Sequence, residues 1–105
     1  MVEHYGITFP EYNLDHEWED ISGVYIFAKE LDKDLDLWEY LYVGETDSFQ
    51  SRPISPRHEK WAEALELGMT HILAGEETDK HIRKWAEEYI IKTEKPYLNV
   101  QFNND

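Results

Sequence analysis

The sequence predicts an α+β domain, a small three-stranded antiparallel sheet flanked by helices in the order ββαβα. Two runs carry the sheet. Gly23-Val24-Tyr25-Ile26-Phe27-Ala28 and Trp38-Glu39-Tyr40-Leu41-Tyr42-Val43 are rich in β-branched and aromatic residues, and the charged stretch between them reads as a long hairpin tip. The helical signal is clearest late in the chain, where Ile82, Trp85, Ala86, Tyr89 and Ile90 recur at i, i+3, i+4, i+7 and i+8.

The elements follow in order. Residues 1–22 are acidic, with scattered anchors at Phe9, Tyr12 and Trp18, and are expected to form an irregular strap over the core. The first strand opens at Ser22-Gly23, and its unbroken apolar run predicts burial on both faces. The second ends at Gly44. Thr46 or Asp47 can cap a short helical turn leading to Arg52, and Pro53 and Pro56 then force a loop. A helix is expected from Arg57 to Leu67, burying Trp61 and Leu65 and stopping at Gly68. Met69 to Ala74 reads as the third strand. Thr78 or Asp79 caps the longest helix, which runs to Glu94 and is ended by Pro96. The expected organisation is a strap over 1–22 and one domain over 23–105.

Composition bounds the function. A chain of 105 residues builds one core, and 41% hydrophobic content is that of a folded protein despite the net charge of −13. With no cysteine, disulfides and thiolate metal sites are excluded. The first ten residues show no basic segment followed by an apolar run, and no stretch nears the roughly 20 apolar residues of a membrane span, so a cytoplasmic, monomeric protein without a membrane partner is expected. Charge is unevenly spread. Residues 1–50 hold 2 basic and 13 acidic side chains, whereas residues 51–105 hold 8 and 10. A polyanion must therefore approach the second half, and residues 52–60, with three basic side chains against one acidic, have the best local balance.

Gly23-Val24-Tyr25 and Tyr42-Val43-Gly44, on the paired strands of one hairpin, resemble the signature of the GIY-YIG nuclease superfamily. In that family an arginine follows the second tyrosine by ten residues, and Arg52 stands there. A glutamate opens the segment Glu-x-x-Leu-Ile-x-x-x-x-Pro-x-x-Asn on the last helix. The stretch Glu87 to Asn99 is similar to it, with Pro96 and Asn99 in place. The resemblance covers residues 23–99. Three features depart from it. The tyrosines are 17 apart, a longer hairpin than in compact members. Glu45 follows the second glycine, where some members carry lysine. Pro56 occupies a position that often holds histidine, and His58 comes two later.

The resemblance implies a divalent-metal-dependent endonuclease with Tyr25, Tyr42, Arg52, His58 and Glu87 as catalytic residues. Gly44 and Asn99 would line the substrate, Glu87 would hold one Mg²⁺ or Mn²⁺ ion, and the local charge balance places DNA against Arg52, Arg57, Lys60 and Lys84. Phosphodiester hydrolysis needs an activated water, a phosphate whose developing charge is neutralised, and a stabilised leaving oxygen. Arginine clamps a phosphate bidentately, which lysine does less well. A carboxylate is the natural donor to a hard divalent ion. A free tyrosine titrates at about 10, so one acting as base needs a cation beside it, which Arg52 and the metal would supply. The expected partner is DNA, bound weakly and with strong salt dependence, with a protein delivering substrate as a further expectation.

Each residue also has an ordinary reading. Tyr25 and Tyr42 fit sheet-core aromatics, Arg52 a solvated helix end, and Asn99 a turn that bonds its own backbone. His71 reads as a core histidine on a strand, and His4, His16 and His81 show no ligand spacing. Two other functions compete: a binding module that keeps the fold without cleaving, and an acidic mimic of DNA. The joint spacing of Tyr25, Tyr42, Arg52, Glu87 and Asn99 favours the nuclease.

Overall fold

The computed structural model describes residues 1–51 and 54–100. In chain order the elements are β1 (Val2–His4), β2 (Ile7–Phe9), β3 (Glu11–Tyr12), β4 (Gly23–Asp32), β5 (Leu37–Thr46), α1 (Trp61–Glu66), β6 (His71–Glu76), α2 (Lys80–Glu94) and α3 (Tyr97–Val100). The class is α+β as expected, but the sheet has four strands rather than three. They are antiparallel in the order β3-β6-β4-β5, and β1 with β2 makes a separate two-stranded hairpin.

The additional strands come from the first twelve residues of the acidic N-terminal segment, while residues 13–22 form no strand or helix. Tyr5 and Gly6 both take positive φ, 55° and 79°, and so make the tight turn that joins β1 to β2. Residues Ile7 and Phe9 of β2 are buried against the sheet, and β3 pairs with β6 at Glu11↔Leu73 and Tyr12↔Ile72. Glu3 and Glu11 are exposed positions of β1 and β3, whereas Asp15, Glu17, Glu19 and Asp20 lie in the irregular stretch that follows.

Strand β4 is central and buried on both faces over Gly23–Ala28, as its unbroken apolar run predicts. Alternation divides its side chains between two cores. Val24, Ile26 and Ala28 pack with Phe9, Val43, Leu73, Ala86 and Ile90 under α2. Tyr25 and Phe27 pack on the other face with Leu41, Trp61, Ala64, Ile72 and Leu98. Strand β5 is an edge, so its outward backbone groups need partners from elsewhere in the chain.

The helices depart from expectation in instructive ways. No helix follows Thr46 over residues 47–51, because the Thr46 hydroxyl is tied to Ser48, accepting from its N–H at 3.1 Å and donating to its carbonyl at 3.0 Å. Helix α1 starts at Trp61 rather than Arg57, since the Lys60 N–H goes to the His58 side chain. Trp61 is buried as expected, but Leu65 is exposed. In α2, Asp79 caps the N-terminus by accepting from the N–H groups of His81 and Ile82. The buried stripe is Arg83, Ala86 and Ile90, while Trp85 and Tyr89 of the expected stripe are exposed. Arg83 can face inward because Glu45 and two carbonyls satisfy its guanidinium. The third predicted strand lies two residues later than expected, over His71–Glu76. Among the described residues no helix is long and apolar enough to cross a membrane.

Candidate functional site

The site starts from strand register. In the β4–β5 pair Tyr25 faces Gly44 and Phe27 faces Tyr42. Side chains alternate, so Tyr25, Phe27 and Tyr42 rise from one sheet face. The rings of Tyr25 and Tyr42 stand 6.2 Å apart, and those of Phe27 and Tyr42 5.7 Å apart. Gly44 permits this. A Cβ there would lie 2.5 Å from the Tyr25 ring and hydroxyl, so the phenol occupies the space a side chain would need.

His58 closes the cluster from the loop before α1. Its imidazole meets Tyr25, Phe27 and Tyr42 edge-on, with centroid distances of 5.7, 4.9 and 5.4 Å. It is 4% exposed, and its Nε2 lies 2.9 Å from the Tyr25 hydroxyl. The backbone assigns the tautomer. Nδ1 accepts the Lys60 N–H at 3.0 Å, so the neutral ring carries its proton on Nε2 and donates to the Tyr25 oxygen. His58 thus contacts Tyr25 by hydrogen bond and Tyr42 by its ring edge.

The Asn99 amide is engaged by the backbone of β5. Its Oδ1 accepts the Val43 N–H at 2.8 Å and its Nδ2 donates to the Val43 carbonyl at 3.0 Å. The primary amide thus stands in for a neighbouring strand on the open edge of β5, between Tyr42 and Gly44. It is a positioning residue for the strand that carries the site.

Glu87 is half-buried on α2, which packs on the opposite sheet face through Ala86 and Ile90. It stands one helical turn beyond Arg83, whose Nε donates to Glu45 Oε1 at 3.0 Å, with Lys84 Nζ 3.3 Å from Oε2 of the same carboxylate. The departure at Glu45 thereby has a reason: it anchors α2 to β5. A half-buried carboxylate such as that of Glu87 is a donor type that suits a hard divalent ion.

Arg52 lies outside the described residues. Arg57 is exposed and lines a cleft of about 230 Å³ with His16, Trp18, Phe49, Gln50 and Ser51. Lys60 is partly buried, its Nζ 3.7 Å from Glu63. The structure thus gathers Tyr25, Tyr42, Gly44, His58 and Asn99 at one place, whereas Glu87 stands on α2, the helix that packs on the opposite sheet face. Sequence reasoning missed Phe27, the platform for His58, although its i+2 spacing from Tyr25 was the available signal. It also missed the aromatic wall of Tyr12, His16, Trp18 and Phe49, whose successive ring centroids lie 4.5 to 5.2 Å apart. Comparison with family models, with curated proteins and with solved structures finds no match to this chain.

Proposed function

We propose that the protein is a GIY-YIG-type endonuclease that hydrolyses DNA phosphodiester bonds and uses one Mg²⁺ or Mn²⁺ ion. The observation carrying this reading is the Tyr25–His58–Tyr42 cluster: two tyrosines on one sheet face, joined by a histidine whose tautomer is set by backbone. Burial divides the labour between the tyrosines. Tyr25 is wholly buried and holds the hydrogen bond from His58, whereas Tyr42 keeps solvent exposure and is the one that meets water. A Tyr42 phenolate, held deprotonated by a cation beside it, would take the proton of the attacking water, and Arg52 would clamp the phosphate. A divalent ion on Glu87 would neutralise charge on the phosphate and leaving oxygen. Arg57 and Lys60 contact flanking phosphates. The protein acts in the cytoplasm as a monomer, on DNA or on DNA brought by a protein partner.

The test is a plasmid incubated with purified protein and Mg²⁺ or Mn²⁺, beside a chelator control and two variants. Glu87→Gln keeps size and shape but removes the anionic donor, and Arg52→Ala removes the clamp. Each should lower the rate by roughly 10²–10³ while leaving the fold intact. Cleavage that persists in Glu87→Gln or ignores the chelator would defeat the mechanism. A wild-type protein inert on every DNA form would favour a binding module, the reading that the −13 charge supports.

A further inference from the structure

The geometry points to a second metal site, for a zinc-class transition-metal ion, built by Glu11, Glu30 and His71 across three adjacent strands. Register brings them together. Glu11 on β3 lies opposite Leu73, two residues along β6 from His71. His71 lies opposite Ala28, two residues along β4 from Glu30. Alternation therefore puts all three side chains on one face, the face away from Tyr25 and Tyr42. One donor atom from each lies within 4.8 Å of the others, and His71 Nε2 is 3.7 Å from Glu11 Oε2.

Three features distinguish this group from an ordinary cluster of surface carboxylates. The first is its charge. Among the described residues neither Glu11 nor Glu30 has a lysine or arginine partner, so two carboxylates share a site with only an imidazole between them. Like charges at that separation repel unless a cation joins them. The second is an oriented histidine. His71 Nδ1 lies 3.0 Å from the Thr70 hydroxyl, which also accepts the Glu30 N–H at 2.8 Å. One hydroxyl thereby ties a ligand ring to the backbone of a second ligand and leaves Nε2 for the ion, the outer-shell arrangement that metal-binding histidines use. The third is the wall. Trp38, opposite Glu30 in register, stands edge-on to the His71 ring at 5.4 Å and shields one side.

The donor set chooses the metal. Mg²⁺ and Ca²⁺ favour all-oxygen shells, whereas imidazole with carboxylates suits Zn²⁺ and its neighbours. Ligand atoms about 2 Å from a tetrahedral ion stand roughly 3–3.5 Å apart, so small rotations of the glutamates close the group, with water completing the shell. Binding would fasten β3, an edge strand of two residues, to β6 and β4.

The test titrates the chelator-treated full-length protein with ZnCl₂ by calorimetry and follows histidine side-chain resonances by NMR. CoCl₂ serves as a spectroscopic probe of coordination. One-to-one binding that moves the His71 resonances, leaves those of His4, His16, His58 and His81 in place, and raises Tm is the expected result. Thr70→Val should weaken zinc by roughly 10–100-fold, the usual cost of an outer-shell partner, and His71→Ala or Glu30→Gln by more. Circular dichroism of each variant shows that its fold survives. Glu87→Gln should bind zinc like the wild type, which separates this site from the nuclease reading. No zinc binding, equal affinity in His71→Ala, Thr70→Val and wild type, or movement of the other histidines instead would overturn the proposal.

Discussion

Single residues decide the chemistry here, and they do so through which atom holds a proton. The contrast between His58 and His4 makes the point. His58 is turned into a donor because a backbone N–H occupies its Nδ1. His4 is made an acceptor by burial, which lowers its pKa from the usual 6.5 against the opposing pull of Glu94. Its Nε2 lies 2.6 Å from the Tyr40 hydroxyl. Burial first, then Glu94 and Asp36, raises the Tyr40 pKa, so the phenol stays protonated and donates to the neutral imidazole. The linkage sign follows. A histidine whose folded pKa is below its unfolded value binds more protons when unfolded, so its contribution is present above about pH 6.5 and is lost as pH falls towards the lowered value. Thermal melts between pH 5 and 8 should show wild-type stability declining on the acid side. His4→Gln should flatten that part of the curve, and an unchanged slope in the variant would assign the titration elsewhere.

At the scale of elements, the site depends on how an exposed strand edge is completed. Strand β5 carries Tyr42 and Gly44 but has a neighbouring strand on one side only. The other side is closed by Asn99 at Val43 and by the Glu45–Arg83 pair that fastens α2. Asn99→Ala removes both bonds to Val43 and leaves its backbone groups partly buried. A loss of about 1–3 kcal/mol is expected, read as a Tm drop of roughly 4–8 °C per kcal/mol in a domain of this size. Hydrogen exchange should rise at Val43 and in α3. Protection at Val43 equal to wild type would show that α3 docks through Leu98 alone.

For the whole molecule, the charge distribution sets how nucleic acid can be met. Lys84 is engaged by Glu45 on the α2 side and Lys60 stands near Glu63, and the proposed contacts to DNA are those of Arg52, Arg57 and Lys60. Three phosphate contacts at about −0.9 each predict a log K against log salt slope no steeper than about −3. Fluorescence anisotropy with a labelled duplex across a salt series measures it. A slope well beyond that value would mean that basic residues elsewhere contribute, and chemical shifts mapping to residues 1–40 would contradict the electrostatic reading.

What was readable in the chain by itself is what short-range physics controls. The burial of β4, the pairing of β4 with β5, the Asp79 cap and the stop after Glu94 all follow from local pattern and backbone sterics. The tyrosine pair was readable too, because a period of two carries Tyr25 and Tyr42 to one face once the hairpin register is given. The rest required distant partners. The β1–β2 hairpin turns on Tyr5-Gly6, which lacks the Asn-Gly or Asp-Gly signal, and a strand of three residues is too short for the alternation of Ile7 and Phe9 to stand out as a pattern. Helix α2 is rotated from its apolar periodicity because Glu45, 38 residues earlier, makes it possible to bury Arg83. The pairing of His58 with Tyr25 and the grouping of Glu11, Glu30 and His71 rest on contacts between residues on different elements. Periodicity records which face a residue prefers, whereas only the assembled sheet decides what waits there to meet it.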